Sequence, residues 1–203
     1  MTPISKLRFL LATQNRGKVR EICSALSLFN IEFEFLLGRD DLPEALESGM
    51  TFAENARIKA EHYHQLTGLP TLAEDSGLVV DALGGKPGVH SARFAPTDKE
   101  RIEKLLRMLD SRPGPSSRSA RFVSAICLLL PEEQIEVTGE VQGELAQEPR
   151  GTHGFGYDPI FYYPPLGKTF AQMTVEEKNQ ISHRALALER LSVGVSRWLT
   201  RTE

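Results

Sequence analysis

The residues most capable of chemistry are two adjacent carboxylates, Glu74 and Asp75, in the run Glu74-Asp75-Ser76-Gly77. Adjacent negative charges are costly unless a cation or hydrogen bonds balance them. Hard carboxylate oxygens suit Mg²⁺, and one of them can polarise a water. A solvated turn is the plainer reading of these four residues alone. Upstream, Glu44 and Glu47 precede a helix start at Thr51, and either can join the same cluster. Taken singly, both read as surface charge.

Thr13-Gln14-Asn15-Arg16-Gly17-Lys18 lies between an apolar run and a helical pattern. A strand feeding a helix through a short polar loop leaves backbone N–H groups free at the helix N-terminus, a ready anion site. Thr13 and Asn15 add side-chain donors and Lys18 adds charge. The loop lacks the earlier glycine of the G-x-x-x-x-G-K-[ST] phosphate loop.

The stretch Gly151-Thr152-His153-Gly154-Phe155-Gly156-Tyr157-Asp158-Pro159 is the most unusual. Its glycines permit close backbone approach. Phe155 and Tyr157 between them read as stacking platforms for a planar ring. Asp158 can accept a hydrogen bond from a base edge. Further on, Lys178-Asn179-Gln180-Ile181-Ser182-His183-Arg184 supplies donors able to read carbonyl groups on a ligand. Together these segments describe a nucleotide polyphosphate site: a phosphate loop, a carboxylate cluster for metal, aromatics for a ring, and Lys, His and Arg donors.

The elements that position them can be read from periodicity. Leu7–Ala12 is a buried strand. Val19, Ile22, Cys23, Leu26 and Phe29 recur at helical spacing. Thr51 and Glu54 form a capping-box pair before Phe52, Ala56, Ala60 and Tyr63, and Gly68 and Pro70 stop that helix. Thr71-Leu72-Ala73 reads as a strand ending at Glu74, with Leu78-Val79-Val80 extended beyond a turn. Thr97 or Asp98 caps a helix carrying Ile102, Leu105, Leu106 and Leu109. Residues 121–130 and 135–145 read as antiparallel strands. Ser182, His183 and Arg184 start a C-terminal helix that carries Ile181, Ala185, Leu188, Leu191, Val195 and Trp198. Mixed strands and helices in this order predict an α/β protein with a mixed sheet.

Composition narrows the function classes. The chain has 203 residues, with 24 Lys+Arg against 27 Asp+Glu and a net charge of −3. That length suits one domain with a proper core. Such a balance does not favour non-specific nucleic-acid binding, which needs a basic surface. No apolar run approaches a membrane span, and Met1–Lys6 shows no signal-peptide pattern. Cys23 and Cys127 read as reduced core thiols, and the expectation is a cytoplasmic protein. Ser111-Arg112-Pro113-Gly114-Pro115-Ser116-Ser117 reads as a surface loop rather than a domain boundary.

The assembled motifs resemble those of the inosine triphosphate pyrophosphatase family, also called the Ham1 or RdgB family. The matching pieces are Thr13–Lys18, Ser48–Ala56 with Lys59-Ala60, and Glu74–Leu78. Gly84-Gly85, Pro87-Gly88, Ser91-Ala92-Arg93, Gly154–Pro159 and Ser182-His183-Arg184 complete the series. They keep the family's order across nearly the whole chain.

The resemblance implies hydrolysis of ITP, dITP and XTP to the monophosphate and pyrophosphate, with Mg²⁺ as cofactor. It implies a homodimer, and a long twisted mixed β-sheet with flanking helices forming two lobes around a central cleft, within one domain spanning 1–203. Carried over residue by residue, Thr13, Gln14, Asn15, Arg16, Gly17, Lys18 and Lys59 hold phosphates. Asp75, helped by Glu74, is the catalytic carboxylate. Asp75 and Glu47, with Glu44 in reserve, hold metal. Ser76 touches substrate, and Phe155, Gly156, Tyr157, Asp158, Lys178, His183 and Arg184 bind the base and sugar end. This chain departs from the family's usual paired aspartate by carrying Glu74 before Asp75. Two rival readings are a Maf-type nucleotide pyrophosphatase, whose own motifs are not evident, and a sensor that binds nucleotide without turnover.

Overall fold

The computed structural model describes residues 7–112 and 117–202. Residues 113–116 of the expected Ser111–Ser117 loop and the N-terminal Met1–Lys6 lie outside the described residues. Seven strands form one mixed sheet: β1 Leu7–Ala12, β2 Ile31–Phe35, β3 Thr71–Val80, β4 Ser119–Leu129, β5 Gln134–Leu145, β6 Phe161–Tyr163 and β7 Lys168–Thr169. Their order is β2-β1-β3-β4-β5-β6-β7. β1 pairs in parallel with β2 and β3, while β6 runs antiparallel to β5 and β7. The helices are α1 Arg16–Ala25, α2 Phe52–Thr67, α3 Asp98–Asp110, α4 Val175–Ile181 and α5 His183–Thr202. Among the described residues no helix is long and apolar enough to cross a membrane.

The chain divides into two compact units. Among the described residues the first comprises 7–75, 125–138 and 185–202. Its core joins Phe9 and Leu11 of β1, Ile22 of α1, Leu72 of β3 and Ile126 and Leu128 of β4 to Ala187, Leu188, Leu191 and Val195 of α5. Each fully buried Leu, Ile or Phe here contributes about 1.5–3 kcal/mol. α2 starts with the expected capping box: Thr51 Oγ1 accepts from Glu54 N–H at 3.1 Å, and Glu54 Oε2 accepts from Thr51 N–H at 3.0 Å. It stops at Gly68, whose φ of +67° favours glycine. Cys127 is buried, and that burial pushes its thiol up to about 12, so it stays protonated at neutral pH.

Among the described residues the second unit comprises 76–112, 117–124 and 139–184. Leu78 and Val80 of β3, Ile102, Leu105 and Leu109 of α3, Phe122 of β4, and Phe161 and Phe170 form its core. Thr97, not Asp98, caps α3; Thr97 Oγ1 accepts from Glu100 N–H at 3.2 Å, and Asp98 is the first helical residue. The glycine-rich stretch remains a loop of turns.

Two expectations need correction, and one set of elements goes unread. The Glu74–Gly77 run is no turn: β3 is continuous from Thr71 to Val80. Side-chain partners satisfy its carboxylates, and Gly77 is required because a Cβ there would strike the Ser91 hydroxyl. Ser91 Oγ instead accepts from Leu78 N–H at 2.9 Å and donates to Gly88 O at 2.6 Å. Secondly, Ile181 belongs to α4, not to the C-terminal helix. Ser182 ends α4 with an extended ψ of 154°, and α5 begins afresh at His183. The unread elements are β2, with apolar Ile31, Phe33 and Phe35 alternating with Glu32 and Glu34, and the short β6 and β7.

Candidate active site

Each unit carries one cluster of polar side chains drawn from distant segments. In the first unit, Asn15 caps α1, its Oδ1 accepting from Gly17 N–H at 2.8 Å and Lys18 N–H at 3.1 Å. Thr13 Oγ1 accepts from Asn15 N–H at 3.2 Å. These bonds fix the shape of the loop and engage the Gly17 and Lys18 amides with the Asn15 cap, while the positive end of the α1 dipole still favours an anion nearby. Thr13 and Asn15 thus use their oxygens as acceptors here, rather than serving only as the donors expected. Gln14 and Arg16 are exposed on the same loop.

Lys18 extends from α1 to Glu74, with Nζ 3.7 Å from Oε2. Lys59, on α2, donates to Glu74 O at 2.9 Å and pairs with Glu47 Oε1 at 2.7 Å and Asp75 Oδ1 at 3.8 Å. Consecutive strand residues project to opposite faces. Glu74 is accordingly engaged by Lys18, while Asp75 meets Lys59 and Asn55. Glu44 is exposed, whereas Glu47 is half-buried against Lys59. Of the two upstream carboxylates, Glu47 is the one at the cluster.

Burial raises the Asp75 carboxyl above the ordinary carboxylate range. The ammonium groups of Lys59 and Lys18 pull it back, Glu47 pushes it further up, and the Asn55 amide lowers it. An acid held up by desolvation beside cations is poised to take a proton from water.

Asn55 is the buried polar residue at this cluster that the sequence reading leaves out of the site. It is fully buried, accepts from Gly49 N–H at 2.8 Å and donates to Asp75 Oδ2 at 3.2 Å. A signal was present: Asn55 and Lys59, four apart, break the apolar stripe of Phe52, Ala56, Ala60 and Tyr63 with polar groups on one helical face. Gly49 has a matching constraint, since a Cβ there would lie 2.7 Å from Glu54 Cβ and 2.8 Å from Asn55 Oδ1.

Metal fit can be judged from these donors. Among the described residues no three His, Cys, Asp or Glu side chains form a metal cage by themselves. Mg²⁺ does not need one; it is commonly held by one or two carboxylates plus phosphate oxygens and water. Asp75 and Glu47, two hard carboxylates meeting at one lysine, fit that requirement.

In the second unit, Asp158 Oδ2 accepts from Phe155 N–H at 2.9 Å and from Lys178 Nζ at 2.6 Å. Asp158 therefore organises the loop and the lysine, a different use from the base-edge acceptor expected of it. Thr174 caps α4 through a capping box with Glu177, which sets Lys178 on the buried side. Lys178 Nζ lies 5.0 Å from the Phe155 ring centroid and Arg184 Cζ lies 5.6 Å from it. Arg184 is 2% exposed and donates to Ser76 Oγ at 3.2 Å. The His183 ring stacks on Phe122 at 4.7 Å and 14°. Phe122 is packed in turn against Phe161 and Phe170, so an aromatic column fixes the imidazole plane.

Tyr157 departs from its expected role as a second platform. It is 4% exposed in the core, its hydroxyl donates to Ser91 O at 3.0 Å, and burial raises its phenol above the ordinary value. Phe155, half-buried, remains the ring with a face to offer. The two clusters adjoin in the chain: Glu74 and Asp75 end a segment of one unit and Ser76 opens a segment of the other.

The Ham1 family model matches residues 9–193. The chain belongs to the Ham1 family. It is 53% identical over 190 residues to a dITP/XTP pyrophosphatase of Symbiobacterium thermophilum, covering 92% of this chain and 94% of that one. A dITP/XTP pyrophosphatase of Geobacillus kaustophilus is 50% identical over 186 residues, covering 90% and 91%. Among solved structures, a HAM1 protein from Coxiella burnetii has a TM-score of 0.84 at 43% identity, covering 94% of this chain and 99% of that one. This Ham1 member therefore matches its relatives over nearly their full length.

Proposed function

We propose that the chain is a dITP/XTP pyrophosphatase, hydrolysing dITP, ITP and XTP to the nucleoside monophosphate and pyrophosphate. The observation that carries this reading is the cluster of Glu47, Glu74 and Asp75 threaded by Lys18 and Lys59. A sensor that only bound nucleotide would gain nothing from a desolvated carboxylate placed to activate water.

The first unit's cluster handles the triphosphate. The Thr13–Lys18 loop at the start of α1, with Lys18 and Lys59, holds phosphate oxygens. Asp75, oriented by Asn55, takes a proton from the attacking water. The water oxygen bonds to the α-phosphorus in line with the bridging oxygen, and that bond breaks with its electron pair leaving on pyrophosphate. Lys18 and Lys59 offset the charge that develops on the leaving group. Mg²⁺, held by Asp75 and Glu47, would supply neutralisation of the triphosphate and acidification of bound water. Glu74 keeps Lys18 in place.

The second unit's cluster reads the base. Phe155 offers a stacking face, and His183 and Arg184 donate toward the 6-oxo group that deaminated purines carry. A 6-amino group in the same place would face donors and lose its hydrogen bonds. Ser76 steadies the Arg184 fork.

Equal amounts of dIMP and pyrophosphate should form from dITP with Mg²⁺, and addition of a chelator should stop the reaction. Release of orthophosphate with dIDP would contradict attack at the α-phosphorus. The assembly is a homodimer in this reading; light scattering should give twice the 22.6 kDa chain mass, and a monomer mass at micromolar concentration would remove that element.

A further inference from the structure

We propose that Asp98, the first residue of α3, is a positioning residue for the base-stacking ring of Phe155. The proposal rests on the reading of Phe155 as the base platform. It starts from the backbone around that ring. Gly154 and Gly156 both take positive φ, +75° and +62°, and at Gly154 a Cβ would strike the Asp158 carboxylate. Such a turn puts the two peptide N–H groups flanking the Phe155 Cα within reach of acceptors. Each one donates to a carboxylate. The Phe155 N–H goes to Asp158 Oδ2 at 2.9 Å, and the Gly156 N–H goes to Asp98 Oδ2 at 2.8 Å, 58 residues away in sequence. Phe155 is therefore clamped from both sides.

Lys178 and Arg184 lie against the Phe155 ring, but the loop also borders a cavity of about 480 Å³, lined by Ile102, Leu106, Pro149, His153 and Phe155 among others. A loop bordering open space gains from a backbone tether that keeps its ring at one angle. Asp98 is itself fixed. Arg101 Nη1 donates to Asp98 Oδ1 at 2.7 Å, and Arg101 Nε donates to Ala95 O at 2.8 Å, locking the carboxylate to the start of α3. Unlike Asp158, which also holds Lys178, Asp98 meets the loop, among the described residues, through the Gly156 hydrogen bond, while its other oxygen holds Arg101. Its removal releases Gly156 together with Arg101, and the split between KM and kcat with the pyrophosphate control isolates the effect on the ring. A ring that is ordered before substrate arrives spares binding the cost of ordering it.

The test compares Asp98→Ala and Asp98→Ser, which cannot reach Gly156, with Asp98→Asn, which keeps an acceptor oxygen. KM for dITP should rise about tenfold in the first two, with kcat within about twofold, as loss of one charge-assisted hydrogen bond predicts. Asp98→Asn should stay within about threefold of wild type. Inhibition by inorganic pyrophosphate, which has no base, should not change. An unchanged KM in Asp98→Ala, an equal fall in kcat for all three variants, or failure of both Ala and Ser variants to fold would overturn the proposal by making Asp98 merely structural. Phe155→Ala separates the two levels. If it leaves the dITP KM unchanged, the base-platform reading fails; if it raises KM while Asp98→Ala does not, only the role of Asp98 fails.

Discussion

Asp75→Asn should lower kcat for dITP by about 10²–10⁴-fold, the span that a positioned general base contributes, while leaving the fold intact. The substitution keeps the size and shape of the side chain and removes its charge and basicity. The surroundings tolerate it. Lys59 retains Glu47 at 2.7 Å and the Glu74 carbonyl at 2.9 Å, and Asn55 can still donate to the remaining amide oxygen. The sign of the pKa shift gives a second expectation. Burial raises the Asp75 carboxyl in the folded state, so the ionised form opposes folding as pH climbs past its unfolded value. A neutral asparagine relieves that opposition, and the melting temperature at neutral pH should be equal or higher. Undiminished turnover at saturating Mg²⁺ would remove Asp75 from the mechanism. A lowered melting temperature with proportionate loss of activity would make it a structural residue.

Arg184→Ala should cost about 1–3 kcal/mol of dITP-over-dATP discrimination, the worth of one buried polar contact. Arginine can donate to a purine oxygen and cannot accept from an amino group, so its removal deletes an attraction and a rejection together. Because Arg184 is almost fully buried, alanine also leaves a void. Arg184→Lys is the companion variant, since it keeps charge and most of the volume but loses the planar fork held against Ser76. Both should weaken selectivity more than they weaken inhibition by pyrophosphate. If kcat/KM for dITP and dATP fell by the same factor in both, Arg184 would belong to phosphate binding or to the core.

What the sequence made legible was local. The Thr51–Glu54 capping box, the Gly68 stop and the loop before α1 follow from spacing a few residues long. The β3 strand was misread because Glu74 and Asp75 are poor strand residues until Lys18, Lys59 and Asn55 are placed beside them. Those partners lie 15 to 56 residues away, counted from Glu74 to Lys59 and to Lys18. Tyr157 illustrates the same limit: between glycines it looks like a presented ring, yet its hydroxyl finds the Ser91 carbonyl 66 residues upstream and the ring joins the core. Ser182 hides a helix break because apolar residues at helical spacing run on either side of it, from Ile181 to Ala185 and Leu188. β2 was a missed signal rather than an absent one, since its apolar residues alternate over five positions. Asn55 left a trace in the sequence, a polar residue paired with Lys59 on the buried helical face, whereas Asp98 reaches the Phe155 loop across 58 residues and no local pattern marks it.

The central claim is that one chain couples α-phosphorus hydrolysis to recognition of a 6-oxo purine. The most direct test is pyrophosphate release by the wild-type protein with Mg²⁺ across dITP, ITP, XTP, dATP and dGTP, read as kcat/KM. The account predicts that dITP, ITP and XTP exceed dATP by on the order of 10²-fold or more, with pyrophosphate as the only phosphorus product besides the monophosphate. Equal kcat/KM for dITP and dATP would contradict it.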